Sequence, residues 1–562
     1  MTLNKTGMRA GTAVIAVTLL ASACGGSSSG GKGTSAPAGK KGGQLNVLML
    51  ADFEHLDPQR NYVSSALNFG RLLYRQLTTY KSEPGTAGTE LAPDLATDLG
   101  KATDNAKTWT FTLKDGLKYE DGTEIKASDI KYGVERSMSP LIPDGPQYAK
   151  QYLEGGKDYK GPFDGKELAS IIADDAKKTI TFKLAQPHGD FGYTVSLPTF
   201  APVPKAKDTK VNYDNHVVSS GPYKIDTYAR GKSLTLSRNI NWGSDTVRKA
   251  LPATIKATFG LDANVIDQRL LASAGEDATA VTIDTSVQPA NVVKVQNDPA
   301  VKARSIQGTT GFLRYIALNT QKGVTKNLKV RQAIEYAVNK TDQQTARGGA
   351  NAAGDLATTI LAPTVGGHKD FNIYDGGATG DPTKAKQLLS EAGYPNGLSL
   401  DINVNNSPKG VAQATALQAS LAKAGIKGTI KQIDAAVYYT TIGDIAKEPE
   451  IVFAAWGPDW PSAGTVIPPL LDGRQIVPQG NQNFSQLNVP EINSEIDRIQ
   501  AITDQSKAAT EWGNLDEKIM KDYAPFVPLL NDKAIFLLGK DVKGAFLHAF
   551  YGEPDLSAIG VA

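Results

Sequence analysis

Residues 108–136, TWTFTLKDGLKYEDGTEIKASDIKYGVER, leave the backbone little choice. Trp109, Phe111 and Leu113 alternate with Thr and Lys, the period of a half-buried strand. Lys114-Asp115-Gly116 then predicts a turn, residues 117–119 a short strand, and Asp121-Gly122-Thr123 a second turn. Ser128 is placed to cap a helix running through Ile130, Val134 and Met138, with Asp129 near its positive end. Strand, turn, strand, turn and helix in so short a span predict mixed α/β structure. Nothing in the span is catalytic.

At 562 residues the chain is too long for one compact core and predicts roughly three or four domain-sized units. Hydrophobic residues make up 40% and charged residues 21%, values of a globular chain rather than a disordered one. The formal net charge is +2. Lys5 and Arg9 account for it: without these two, 60 basic residues become 58, equal to the 58 acidic ones. The body is neutral and lacks the overall electrostatic footprint of a nucleic-acid binder. With a single cysteine, Cys24, the chain makes no internal disulfide and no cysteine-based metal site.

The address of Cys24 is informative. Lys5 and Arg9 precede an uncharged apolar run at 10–20, which leads into Ala21-Ser22-Ala23-Cys24-Gly25. This is the layout of an export signal with a small-residue cleavage site. The run is shorter than the ~20 residues that span a bilayer. The segment resembles a bacterial lipoprotein signal, although Ala21 stands where Leu, Val or Ile is commoner. That resemblance implies removal of residues 1–23 and acylation of Cys24, with several acyl chains giving stable membrane attachment. Ordinary secretion with cleavage after Ala23 is the alternative. Residues 25–43 are only Gly, Ser, Pro, Ala, Thr and Lys and predict a flexible tether.

A second informative stretch follows the apolar run 451–455: Trp456-Gly457-Pro458-Asp459-Trp460. Two of the chain's 5 Trp flank a carboxylate on a Gly-Pro turn. Indoles provide rigid apolar walls, and an ionised carboxylate between them attracts an ammonium group. Taken alone, the residues equally allow two core indoles and an aspartate supporting the turn. Arg474, in Asp472-Gly473-Arg474, could pair with a ligand carboxylate or serve as a surface loop charge. Asp52, Glu54, His55 and Asp57 crowd one loop, but nothing else at ligand spacing makes them a metal site. No HExxH or zinc pattern occurs, and no Gly-x-Ser-x-Gly elbow joins a predicted strand to a helix, which argues against a secreted hydrolase.

The 108–136 pattern resembles the family 5 extracellular solute-binding proteins of ABC importers, the oligopeptide and dipeptide binders. Phe111-Thr112-Leu113-Lys114-Asp115-Gly116, Asp121-Gly122-Thr123, Ala127-Ser128-Asp129-Ile130 and Glu135-Arg136 match that family's signature in order and spacing. Further matches run along nearly the whole mature chain. They include Leu56-Asp57-Pro58, residues 179–184, Ser220-Gly221-Pro222-Tyr223, Leu236-Ser237-Arg238-Asn239, residues 330–334, residues 385–394 ending near Gly393, and Pro525-Phe526-Val527-Pro528.

The resemblance implies an α/β, two-lobed fold of the type II periplasmic-binding-protein kind with an extra inserted domain. After the signal (1–23) and tether (24–43), domain one would be discontinuous, comprising 44–80, 195–305 and 528–562. Domain two would be an insertion at 81–194, and domain three the second lobe at 306–527. Hinge strands would lie near 305–310 and 522–530. By the same resemblance Asp459, in Trp-x-x-Asp, would receive a peptide's α-amino group and Trp456 would wall its first side chain. Asp52 and Phe53 would meet peptide backbone from the other lobe. The implied protein is not an enzyme and needs no cofactor. It would be a monomer held on the extracytoplasmic face of the cell membrane, passing peptide to the permease of an ABC importer. The same fold could instead serve a nickel chelate, haem, an opine or an oligosaccharide, or act as a surface receptor for peptide signals.

Overall fold

The computed structural model describes residues 39–562 apart from Pro143, Ser244, Thr246, Ala435 and Ala436. The expected export signal, Cys24 and residues 25–38 of the expected tether lie outside the described residues.

Three sheets carry the fold. The first contains, in spatial order, Ala280–Val281, Gln44–Leu48, Thr254–Thr258, Ser233–Arg238 and Tyr223–Ala229. Gln44–Leu48 runs parallel to both of its neighbours, and the last three strands are antiparallel. The second sheet is antiparallel: Lys101–Thr103, Thr108–Thr112, Thr179–Lys183 and Ile171–Asp174. The third is mixed: Asp355–Leu356, Phe526–Leu537, Ser305–Leu318, Ile451–Trp456, Leu398–Asn405 and Ile426–Ile433.

The alternation in TWTFT does what its period requires. Trp109 and Phe111 are buried, while Thr112 faces solvent. Pairing of Trp109 with Phe182 and of Phe111 with Ile180 carries the apolar face onto the next strand. The helix after the second turn is Ala127–Ser137, and its cap corrects the expectation. Lys126 holds the N-cap position, and the Asp129 carboxylate accepts from the Lys126 backbone N–H at 3.0 Å. Ser128 lies inside the first turn. Its backbone N–H and hydroxyl donate to Asp175, 2.9 and 2.8 Å away, docking the helix start on the hairpin turn. Leu67, Leu72, Leu73 and Leu77 have the spacing of a helix over 65–77, but the helix formed is only Ser64–Gly70. Arg71 then turns inward and donates to Asp555 at 3.1 Å and to the Tyr80 carbonyl at 3.0 Å. Its neighbours Leu72 and Leu73 stay buried without continuing the helix.

Ser305–Leu318 and Phe526–Leu537 form one long antiparallel pair, shared by two different cores. Residues 305–309 pair with 533–537, and 313–317 with 526–531. Between Thr309 and Leu313 the register shifts, leaving residues 310–312 out of the ladder. Ile535 and Leu537 pack with the helices around Ile266 and Val295, whereas Tyr315 and Phe526 pack in the core of the third sheet. The two strands therefore pass from one lobe to the other, with a bulge that bends and weakens the ladder between them. Helix Gln505–Tyr523 occupies 522–523, so the second crossing strand begins later than expected, at Phe526.

Inside the first lobe His548 is fully buried. Its Nδ1 lies 3.3 and 3.4 Å from the backbone N–H groups of Phe550 and Tyr551, and Nε2 lies 3.2 Å from the Lys81 carbonyl. These partners suit a neutral ring, with Nδ1 accepting and Nε2 donating. Burial pushes its pKa down to about 4. An unfolded histidine binds a proton near pH ~6.5. Between these two values the unfolded state holds more protons, so stability falls as pH is lowered through that window. The loss attributable to His548 is expected to reach about 3 kcal/mol. Urea denaturation of wild type and His548→Asn between pH 7.5 and 4.5 checks this; equal pH slopes in the two proteins would refute it.

Candidate functional site

Ile451–Trp456 and Leu398–Asn405 are parallel, so Trp456 and Asn405 sit at the same edge of the third sheet. Ligands in open α/β sheets bind at such carboxyl edges. Asp459 follows immediately. Its two carboxylate oxygens accept from the hydroxyls of Tyr62, at 2.5 Å, and of Tyr148. Tyr62 lies just before helix Ser64–Gly70, and Tyr148 opens helix Tyr148–Tyr152. Burial pushes the Asp459 carboxyl up, and the two phenol hydrogen bonds pull it partly back down. Tyr148 and Tyr62 are pushed up too, by burial first and then by the Asp459 charge. Among the described residues Asp459 forms no ion pair.

Trp460 settles a question the sequence left open. It is 0% exposed and belongs to the core that holds Trp109, Phe182 and Phe191. Its ring lies edge-on to Tyr148, with centroids 4.8 Å apart, and its indole N–H donates to Asp190 at 2.8 Å. The neighbouring Gly189 donates from its backbone N–H to the Gln500 carbonyl at 2.6 Å. A Cβ at Gly189 would sit 1.9 Å from the Ile502 carbonyl oxygen, so only glycine permits this approach. The 456–460 turn is thus pinned against the hairpin-and-helix unit.

Trp456 is half-buried. Its indole N–H donates to the Thr465 carbonyl at 2.8 Å, which commits its polar end to its own lobe and leaves ring surface as its contribution. Gly457 lies under Phe312, one of the unladdered residues; a Cβ there would meet the Phe312 ring at 2.6 Å. The turn bearing Asp459 therefore rests directly on the crossing between lobes.

Asp52 and Phe53 make their contacts within the first lobe. The Asp52 carboxylate accepts from Tyr228 Oη and from the Gly231 backbone N–H, both at 2.8 Å. Phe53 is 4% exposed, packed on Phe69 and Phe259, and its carbonyl accepts from Arg230 at 3.1 Å. The Phe53 ring is a core group, which leaves only its main chain available for a ligand contact. Asp472 and Asp497 bracket Arg474, with Nη2 2.7 Å from an oxygen of each. A ligand carboxylate would have to displace two aspartates to reach it.

Cations that sequence reasoning passed over stand at the same sheet edge. Arg314 opposes Ala455 in register. Its Nε and Nη2 approach the Asp532 carboxylate at 2.8 and 2.7 Å. Arg347 and Lys409 lie close enough to Arg314 for mutual repulsion. A groove of about 1080 Å³ lies elsewhere, among Lys81, Trp242, Arg248 and Phe546, and contains none of these residues.

The family profile of the bacterial extracellular solute-binding proteins, family 5, matches residues 90–477. The chain belongs to that family. Its fold is the family's type II periplasmic-binding-protein fold, α/β and built of several domains. The chain is 34% identical to the solved clavulanic acid biosynthesis oligopeptide binding protein 2, with a TM-score of 0.87, covering 94% of this chain and 99% of that one. It is 26% identical over 585 residues to heme-binding protein A of Haemophilus influenzae, covering 97% of this chain and 98% of the relative. It is 25% identical over 496 residues to the dipeptide-binding protein of Escherichia coli, covering 84% and 86%. These relatives are named as binding proteins, and the family is extracellular. No helix among the described residues is long and apolar enough to cross a membrane.

Proposed function

We propose that this family 5 solute-binding protein captures peptides with a free amino group between its lobes and passes them to the permease of an ABC importer. The observation that carries the reading is Asp459: a largely buried carboxylate, bonded to two phenols and lacking a cationic partner among the described residues. Burying such a carboxylate is costly, and a ligand ammonium recovers much of that cost through charge-assisted hydrogen bonds. The phenol oxygens of Tyr62 and Tyr148 are in place to accept the ammonium's remaining N–H groups. Trp456 supplies an apolar wall. Arg314, Arg347 and Lys409 at the same sheet edge suit the peptide's carboxylate. The domain divisions given above fit this reading. The strands 305–318 and 526–537 act as the hinge, and closure is stabilised by contacts both lobes make to one ligand.

A thermal-shift screen against free-amine peptides, sugars, nickel and haem tests the reading. A ligand at ~100 times its Kd stabilises the native state by about 2.7 kcal/mol. Peptides are expected to raise the melting temperature; stabilisation by haem or sugars and never by peptides would overturn the proposal. Attachment through acylated Cys24 is part of the same proposal. Palmitate labelling lost on Cys24→Ala would support it, and unchanged labelling would refute it.

A further inference from the structure

Arg314, Arg347 and Lys409 gather more positive charge at one place than their protein neighbours neutralise. Each comes from a different element. Arg314 lies on Ser305–Leu318, next to the register shift. Arg347 follows helix Lys340–Ala346; its Nη1 donates to Gln413 Oε1 at 3.2 Å, and its Nε is buried with no hydrogen-bond partner among the described residues. Lys409 is in the first turn of helix Pro408–Lys423, which starts where Leu398–Asn405 ends. Helix Ala350–Ala353, just after Arg347, packs against helix Pro289–Asn297, so this corner faces the other lobe.

The charges do not balance. Asp532 acts on Arg347 and Lys409, but its oxygens are held by Arg314. The adjacent Asp355 pairs with Lys533 Nζ at 2.5 Å. Burial, and after it Arg314, brings Arg347 down to about 10; partial desolvation of its ammonium, then Arg347 and Arg314, lowers the otherwise exposed Lys409. The N-terminus of helix Pro408–Lys423, capped by Ser407 through the Gly410 N–H, adds positive potential on the same side. One ligand carboxylate would leave part of this charge unmet.

We propose that the cleft prefers peptides whose carboxy-terminal residue is itself acidic, so that two carboxylates meet Arg347, Lys409 and the Arg314–Asp532 pair. The inference deepens the peptide reading and rests on it. Asp459 takes the amino end, and the cation cluster reads charge at the other.

Calorimetric titration of the full protein with Ala-Ala-Glu, Ala-Ala-Gln and Ala-Ala-Ala tests it. In 20 mM salt the Glu peptide is expected to bind at least tenfold tighter than the Gln peptide. That ratio should shrink in 500 mM salt, as for a charge-dependent contact, and fall toward one in Arg347→Gln and in Lys409→Gln. Lys409 is exposed and is not expected to disturb folding, so its variant keeps the test valid if Arg347→Gln misfolds. Equal affinity for the Glu and Gln peptides in wild type would overturn the acidic preference while leaving peptide capture standing. An unchanged ratio in Lys409→Gln would also overturn it. Binding of none of the three would overturn the peptide reading and this inference together.

Discussion

Asp459→Asn is expected to weaken binding of a free-amine peptide by roughly 10- to 100-fold, the worth of a charge-assisted hydrogen bond at about 1.5–3 kcal/mol. The amide keeps the shape of the side chain and two polar atoms but loses the charge. One of the phenols of Tyr62 and Tyr148 can still donate to the amide oxygen and the other can accept from the amide NH2, so the local fold is expected to persist. The effect should therefore appear in affinity and not in melting temperature without ligand. Tyr62→Phe separates the carboxylate's two roles. It frees one Asp459 oxygen from a bond across the cleft without touching the charge, and its effect on affinity is expected to be much smaller than that of Asp459→Asn. If Asp459→Asn binds free-amine peptides as well as wild type, the anchor assignment is wrong.

The second large effect concerns the joint between the first lobe and the hairpin-and-helix unit. Arg136 is 0% exposed, at the end of helix Ala127–Ser137. Its guanidinium holds both oxygens of Asp57 at 2.7 Å, Asp208 at 3.0 Å, Gln59 Oε1 at 3.1 Å and the Lys210 carbonyl at 2.8 Å. Arg136→Met leaves two buried carboxylates without their counter-charge. Breaking a buried pair in this way is expected to cost about 3–5 kcal/mol. Replacing Asp57 by Asn in the same chain should recover part of that loss, because the two residues interact directly. Urea unfolding of the single and double variants measures both terms. A loss below ~1 kcal/mol for Arg136→Met would show that solvent reaches this joint and that the fold does not depend on it.

That joint also shows what could be read from the sequence and why. Leu56-Asp57-Pro58 and Glu135-Arg136 stand out as separate motifs; in the structure Asp57 and Arg136 are one ion pair. The 108–112 strand was legible because burial on one face forces a two-residue period. The start of the following helix was misplaced by two residues because Ser128 and Asp129 are both capable caps, and the choice depended on Asp175, far along the chain. Leucine spacing over 65–77 looked helical although the helix stops at Gly70, because the burial of Leu72 and Leu73 does not require helical backbone. At the site, resemblance singled out Asp459 and Trp456. Tyr62, Tyr148 and Asp190 were not legible: they meet Asp459 and Trp460 across sequence separations of 397, 311 and 270 residues, and nothing local marks them. Arg474 was a plausible carboxylate partner in the sequence; only the fold reveals that Asp497 neutralises it.

The closing contacts explain how one turn serves two ends. Trp460 anchors 456–460 in the core around Trp109, and Gly457 seats it under Phe312 at the crossing strands. On the function proposed above, a ligand at Asp459 would sit beside the bulge between the crossing strands, where hinge closure would be felt directly.

Calorimetric titration of the wild-type protein with one tripeptide and its N-acetylated form tests the central claim most directly. Acetylation removes the ammonium and leaves the backbone and side chains unchanged. The free-amine peptide is expected to bind, and acetylation to weaken binding by tenfold or more. Equal affinity for the two forms would contradict it.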